Sequence, residues 1–170
     1  SSILPHVRID AEINNIRQVS RNNSVFVWGV TPGKKDANSK KWSRINPGDV
    51  TLFYRQGFIF SSAVATYKFH NKELAQFLWG SDENGATWEY IYFIDEIKYH
   101  KIPVNTFNQI VGYAPNFIIQ GFNVLDEIKS IKVFSAFELT SNQYFPEVSE
   151  GEFEEVSSVD LSGPLDAKGL

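Results

Sequence analysis

The chain has 170 residues, of which 42% are hydrophobic and 21% charged, and its formal net charge is −4. These values fit one globular domain, and no apolar run approaches the ~18 residues of a membrane span. The sequence contains no cysteine, which excludes disulfides, thiolate metal sites and cysteine nucleophiles. Because it begins at Ser and shows no secretory pattern, we expect part of a longer, cytoplasmic protein.

The negative charge is confined to the end of the chain. Residues 1–142 contain fifteen Lys and Arg against thirteen Asp and Glu, whereas residues 143–170 contain one Lys against seven acids. The body is therefore slightly basic, and five of its cations lie between Lys34 and Arg44. Such a run fits either a solvated loop or a loop that contacts phosphates. The overall charge does not exclude a nucleic-acid partner.

The first third of the chain predicts one helix and two strands. Apolar residues at helical spacing indicate a helix over Asp10–Arg21, and the following apolar run indicates a buried strand over Ser24–Val30. A long basic loop leads from there to the turn Asn46–Asp49. Val50–Arg55 then predicts the second strand.

The middle and last parts of the chain continue in the same mixed pattern. Gln56 and Gly57 predict a hairpin turn between the second strand and a third. Further elements follow from residue pattern and end signals. They are a strand over Phe58–Phe69, a helix over Asn71–Trp79, a strand over Thr87–Tyr99, and helices over Pro103–Val111 and Val124–Phe137.

The predicted elements describe an α+β domain whose strands close a barrel-like sheet to cover their edges. Residues 1–24 form an N-terminal helical segment that packs on the domain, and residues 25–140 form the domain itself. Residues 141–170 lose the hydrophobic periodicity and predict an acidic linker or tail.

Motifs of the common enzyme classes are missing from the sequence. It has no glycine-rich phosphate loop, no Gly-x-Ser-x-Gly and no His-Glu-x-x-His. The three histidines, His6, His70 and His100, lie far apart without ligand spacing, which favours surface roles over a metal site. We therefore expect a binding module with no catalytic residues, no metal and no cofactor.

The four tryptophans all lie near the ends of predicted elements, where binding clefts form. Each of Trp28, Trp42, Trp79 and Trp88 taken alone fits a hydrophobic core. Several of them meeting beside the basic loop would instead provide a stacking surface for a nucleobase, with cations for the adjoining phosphates. A base in a duplex would first have to be flipped out.

Five short motifs follow one another along the chain: Phe26-Val-Trp-Gly29, Ile45-x-Pro-Gly-Asp-Val-Thr-Leu-Phe-Tyr54, Ala63-Val-Ala-Thr66, Leu74-Ala-x-x-Leu-Trp79 and Thr87-Trp-Glu-Tyr-Ile-Tyr-Phe93. Together they resemble the EVE domains of the PUA superfamily, relatives of YTH domains. The resemblance covers roughly residues 25–137, and Pro-Gly-Asp-Val also occurs in other PUA-like families such as ASCH. It is closest to the N-terminal target-recognition domains of McrB-type, modification-dependent restriction systems.

The resemblance implies a twisted, barrel-like sheet flanked by helices, with an aromatic cage for an extruded, often methylated base. Trp28 matches the cage tryptophan, Tyr54 and Phe60 flank the hairpin that walls the pocket, and Ser61, Ser62 and Asn84 are candidates for hydrogen bonds to base edges. The implied pocket residues are Trp28, Trp42, Tyr54, Phe60, Ser61, Ser62, Trp79, Asn84 and Trp88. The implied contacts to the nucleic-acid backbone are Lys34, Lys35, Lys40, Lys41, Arg44 and Arg55.

By this resemblance the chain reads N6-methyladenine or a modified cytosine such as 5-methylcytosine in DNA, fused to or working with a motor ATPase or a nuclease domain. Three alternatives stay open. In the first, the fold is the same but the target is RNA, as in YTH readers. In the second, the chain is an ASCH-like amidohydrolase that uses Lys68 or Lys98 with Glu89. In the third, it is a protein-interaction domain whose aromatic residues simply form the core.

Overall fold

The computed structural model describes residues 2–137, 139 and 157–160, and it has an α+β fold. Its strands are β1 (Ser24–Val30), β2 (Val50–Arg55), β3 (Phe58–His70), β4 (Tyr90–Pro103) and β5 (Ser157–Asp160). Its helices are α1 (Asp10–Val19), α2 (Ala37–Trp42), α3 (Lys72–Trp79), α4 (Val104–Val111) and α5 (Glu127–Phe137), with short 3₁₀ turns at Leu4–His6 and Lys34–Asp36. None of the helices in this part of the chain has both the length and the apolar content needed to cross a membrane.

The strands form one antiparallel sheet in the order β2-β3-β4-β1-β5. Strands β1 to β4 curl into a half-barrel. The predicted α+β class is therefore confirmed, and the curled sheet is compatible with the predicted barrel-like shape. Three register shifts between β3 and β4 account for part of the curl, because bulges increase the local twist of a sheet.

The β2–β3 hairpin forms where the sequence predicts it. Gln56 and Gly57 both have positive φ, 48° and 86°, the backbone that matches the twist of two paired strands. The turn at Asn46–Asp49 is also confirmed, since the Asp49 N–H donates to the Asn46 carbonyl at 3.0 Å and the Asp49 side chain accepts from the Asn46 N–H at 2.7 Å.

Apolar residues of the sheet pack on both of its faces. On one face, Val27, Ile91 and Phe93 pack with residues of α1 and α3 and with the N-terminal segment. On the other face, Phe53, Tyr92 and neighbouring residues pack beneath the partly buried Trp28, Trp42 and Phe122. A third cluster joins the far end of the hairpin to α4 and α5 through Ile59, Phe107 and Val133. We call the face that carries Trp28 and Trp42 the α2 face, because Trp42 belongs to α2.

Several predicted boundaries are wrong for local reasons. The basic loop contains α2, a short polar helix without apolar periodicity. Strand β4 runs over Tyr90–Pro103 because its pairing begins at Val30–Tyr90 and ends at Phe58–Pro103. Helix α5 begins at Glu127, where the preceding Asp126 carboxylate accepts from the Lys129 N–H at 2.9 Å.

The predicted acidic tail contains a strand. Residues 157–160 pair with β1 as the edge strand β5, with Ser157 opposite Val27 and Asp160 opposite Ser24. The rest of that predicted tail lies outside the described residues.

A buried histidine makes the stability of the fold depend on pH. His100, which the sequence places at the surface, is only 8% exposed, and its Nε2 lies 2.6 Å from the Ser62 hydroxyl oxygen. Burial lowers the pKa of His100 below its usual 6.5, and the nearby Lys98 lowers it further. The unfolded chain therefore binds the proton at a higher pH than the folded chain.

We expect the free energy of unfolding to fall as the pH drops below about 6.5, through the pKa of the folded histidine. Denaturant unfolding at about pH 7.5 and about pH 5 measures this loss. His100→Gln should lose less stability across that interval than the wild-type chain. An equal loss in both proteins would show that His100 does not carry the dependence.

Candidate functional site

A partly open cleft of about 910 Å³ lies between the α2 face of the sheet and the segment 117–125. Trp28, Thr31, Asp49 and Phe53 line it from the sheet and the adjoining turns, and Asn123 lines it from the opposite side. The cleft combines aromatic surface with polar groups. Pockets of this size and composition are typical of small-molecule and cofactor sites.

Two aromatic rings packed edge to face line the cleft on the side of the sheet. Trp28 is half-buried in β1, and its ring forms a T-shaped pair with that of Phe53, with a centroid distance of 5.0 Å and an interplanar angle of 67°. Tyr92 is the register partner of Trp28 on β4. Burial raises the pKa of Tyr92 far above its ordinary value, against the opposing effect of its hydrogen bond with Thr51, so Tyr92 stays a neutral phenol.

The rim of the cleft carries groups that donate or accept hydrogen bonds. Asn38 and Asn123 offer amides, Thr31 a hydroxyl and Asp49 a carboxylate. No sequence motif selects these four as site residues, although Asp49 belongs to the Pro-Gly-Asp motif. The four side chains come together only because α2 and the segment 117–125 fold over the sheet. Of the four, only Asp49 lies in a motif that could have indicated it.

Two of the cations that are predicted to contact the nucleic-acid backbone instead join the two walls of the cleft by hydrogen bonds. The Lys41 ammonium donates to the Phe122 carbonyl at 3.0 Å, and the Arg44 guanidinium donates to the Val124 carbonyl at 3.5 Å. These bonds join α2 and its end to the opposite wall. Arg44 also lines the cleft, so it is placed both to hold the wall and to face a ligand.

Three other cations of that group are exposed to solvent: Lys34, Lys35 and Lys40. Lys35 and the neighbouring Asp36 both have left-handed backbone, with φ of 51° and 58°. This conformation is unfavourable for residues other than glycine, and it concentrates at functional sites. The backbone conformation that holds the lysines of this loop therefore costs free energy.

Trp42 lies outside the cleft and fastens α2 to the sheet. Its Nε1 donates to the Ile91 carbonyl at 3.2 Å, and its ring packs edge-on against Tyr90 at 5.2 Å. The Lys68 ammonium sits 4.7 Å from the ring centroid and donates to the carbonyls of Trp42 and Ser43. Burial lowers the pKa of Lys68, and the Asp49 charge opposes that effect.

Trp79 and Trp88 meet beside a glycine of β1. Their rings pack edge-on at 6.5 Å, and only Trp88 lines the cleft. A Cβ on Gly29 would lie 2.5 Å from the Trp88 carbonyl oxygen and 2.8 Å from the Trp79 ring. Since successive side chains of a strand point to opposite faces, Trp79 occupies the face of β1 opposite Trp28.

The structure brings together Trp28, Tyr54, Trp88 and Arg44 in the cleft, and it places the remaining predicted residues elsewhere. Phe60 is buried beneath Arg55, whose guanidinium lies 4.8 Å from its ring centroid. The buried Ser61 and Ser62 bond to the Lys98 carbonyl and to His100. Asn84 lies in an exposed loop that Asp82 organises.

The lysines and the carboxylate of the amidohydrolase alternative all have other hydrogen-bond partners in the described residues. The Glu89 Oε1 lies 2.8 Å from the His70 Nε2. Lys68 is engaged with the end of α2, and the Lys98 ammonium donates to the Leu139 carbonyl at 3.1 Å. The two lysines therefore donate to backbone carbonyls, and Glu89 pairs with His70.

Comparison of the chain with protein-family models, with curated proteins and with solved structures found no match.

Proposed function

We propose that the chain binds a modified nucleobase of DNA, which leaves the base stack and enters the cleft against Trp28. The observation that carries this proposal is the half-buried indole of Trp28, which lines the cleft beside hydrogen-bonding groups and is held edge-on by Phe53. Stacking on such a ring contributes about 1–3 kcal/mol per base. The rim amides and the Asp49 carboxylate then select among base edges.

A methylated base fits this surface for a physical reason. Methylation of an exocyclic amine removes one donor and adds apolar area, which gains about 25 cal/mol for each Å² buried. The aromatic rings favour the methyl group, while the rim still offers an acceptor to the remaining N–H. An unmodified amine would bury a second donor in the same space at a cost.

The surroundings of the cleft suit a polyanion. Between Lys34 and Arg44 the chain carries five cations and one acid, and three of those lysines are exposed at the α2 end of the cleft. Contacts between lysines and phosphates supply sequence-independent affinity and fix the register of the protein on the strand.

In this proposal, the curled sheet is a fold of the PUA superfamily resembling EVE domains, with residues 25–140 as the reader and residues 1–24 packed on it. The chain itself cleaves nothing and takes no cofactor. It serves in the cytoplasm as the target-recognition part of a modification-dependent restriction system, and a motor ATPase or a nuclease domain does the remaining work.

A binding panel tests the proposal. Oligonucleotides of one sequence would carry N6-methyladenine, 5-methylcytosine or the plain base at a single site, as duplex DNA, single-stranded DNA and RNA. We expect one modified DNA to bind at least tenfold more tightly than its plain counterpart. Preference for the modified RNA would favour the YTH-like alternative, and equal affinity for modified and plain strands would contradict both.

Charge reversal in the strained loop should weaken binding without changing selectivity. Lys34→Glu combined with Lys35→Glu removes cations that we assign to phosphates, so modified and plain duplexes should lose affinity by the same factor. The slope of log K against log salt should become shallower by about 0.9 for each phosphate that the variant no longer neutralises. Fluorescence anisotropy at several salt concentrations measures both effects.

The matched control reverses two exposed cations on the other face of the sheet. Arg17→Glu with Lys72→Glu makes the same change in net charge on α1 and α3, and it should alter the salt slope much less. If both double variants changed the slope equally, the loop would have no specific role.

A further inference from the structure

Two neighbouring apolar side chains beside the cleft project into solvent. Phe117 is 41% exposed and Ile118 is 62% exposed. Phe117 also lines the cleft, on the side opposite the sheet. Large apolar side chains in such a position lower solubility and commonly mark a contact surface.

The loop that carries this pair is held in one conformation from below. Asn108 is completely buried in α4, and its side-chain amide donates to the carbonyls of Pro115 and Phe117 at 3.2 and 2.8 Å. The Phe117 N–H donates to the Ala114 carbonyl at 2.9 Å, and its ring packs on Tyr113 at 4.7 Å. These hydrogen bonds fix the conformation of the turn, and Ile118 is exposed in that conformation.

The charge around the cleft indicates what this pair contacts. The basic segment from Lys34 to Arg44 borders the same cleft, which Asn38 and Arg44 line, so a ligand of the cleft can reach cations as well as the apolar pair. Double-stranded DNA with one base flipped out of the stack has this pattern. Its phosphates are anionic, and the vacated position exposes the apolar faces of the two neighbouring bases.

We propose that Ile118, backed by Phe117, enters the duplex at the position that the extruded base vacates. This inference rests on the proposed function and adds to it that the ligand is double-stranded. Apolar wedges of this kind stabilise a kinked duplex by replacing part of the lost stacking, and extrusion costs a few kcal/mol that such contacts offset. A single strand has no vacated position and needs no wedge.

Ile118→Ser tests the proposal, because an exposed residue can be changed with little effect on the fold. The probe is the preferred modified base in one sequence, offered as duplex and as single strand. We expect about tenfold weaker duplex binding and unchanged single-strand binding. Ile9→Ser is the matched control: Ile9 is 57% exposed beside α1, and its replacement should change neither affinity.

A fluorescent 2-aminopurine placed next to the modified base in the same strand, where it keeps a normal pairing partner, gives a second reading. Its emission should rise when the wild-type chain binds the duplex and rise less with Ile118→Ser. Equal affinities for the duplex before and after the change would overturn the wedge. Equal losses of affinity for the duplex and for the single strand would also overturn it. If Ile118→Ser instead converted a dimer to a monomer in sedimentation and left the duplex affinity unchanged, the apolar pair would be assigned to self-association.

The wild-type chain separates this inference from the proposed function. A chain that prefers modified over plain single strands, while Ile118→Ser leaves duplex binding intact, retains the proposed function and loses the wedge. A wild-type chain that shows no preference for any modified strand contradicts both.

Discussion

Trp28→Ala is expected to abolish the preference for the modified base and to leave a folded protein. The indole provides the stacking surface of the cleft, and its loss removes about 1–3 kcal/mol, which corresponds to a roughly 5- to 150-fold weaker affinity for the modified strand. Affinity for the plain strand should change little, because phosphate contacts dominate there. Anisotropy titrations with modified and plain duplexes measure the ratio, and circular dichroism confirms the fold.

Trp42→Ala is the matched control for that substitution. Both tryptophans are half-buried on the same face of the sheet, but Trp42 is directed towards Tyr90 and the Ile91 carbonyl. Its removal should lower stability and preserve the preference for the modified base. Selectivity that survives Trp28→Ala, or that disappears with Trp42→Ala in a folded protein, would place the base elsewhere.

Gly29→Ala is expected to destabilise the chain by about 3 kcal/mol, the upper end of the usual cost of overpacking. The added Cβ would meet the Trp88 carbonyl oxygen at 2.5 Å and the Trp79 ring at 2.8 Å. The carbonyl belongs to the backbone just before β4 and cannot rotate away as a side chain would. Urea denaturation measures the change in the free energy of unfolding.

Gly85→Ala separates that clash from the general effect of replacing a glycine. A Cβ at Gly85 would meet nothing within 4 Å, and only its φ of 76° is unfavourable for alanine. This variant should lose about 1 kcal/mol. Equal losses from the two substitutions would show that Gly29 is not required for the packing of Trp79 and Trp88.

Local signals in the sequence account for most of the elements. Turn residues such as Gln56 and Gly57 determine the hairpin, and the Asn71 side chain caps α3 by accepting from the Leu74 N–H at 2.8 Å, as its position before the helix predicts. Helix α2 lacks such signals. It depends on tertiary contacts, including those of Trp42 and Lys41, and no apolar period reveals it.

The site could be predicted only in part, for a related reason. Trp28 is recognisable from its motif, whereas Phe53 and Tyr92 join it through the register of the sheet. Ser61 and Ser62 adjoin the motifs in sequence, but burial and bonds to β4 direct them inward. Nearness in sequence is a weak guide to a site that three separate segments build.

The most direct test of the central claim is a crystal structure of the chain with a duplex that carries the preferred modified base. We expect this base to be extruded and its ring to stack on Trp28 at van der Waals distance, ~3.5–4 Å. A base that remains paired in the duplex, or that occupies a site away from Trp28, would contradict the proposed function.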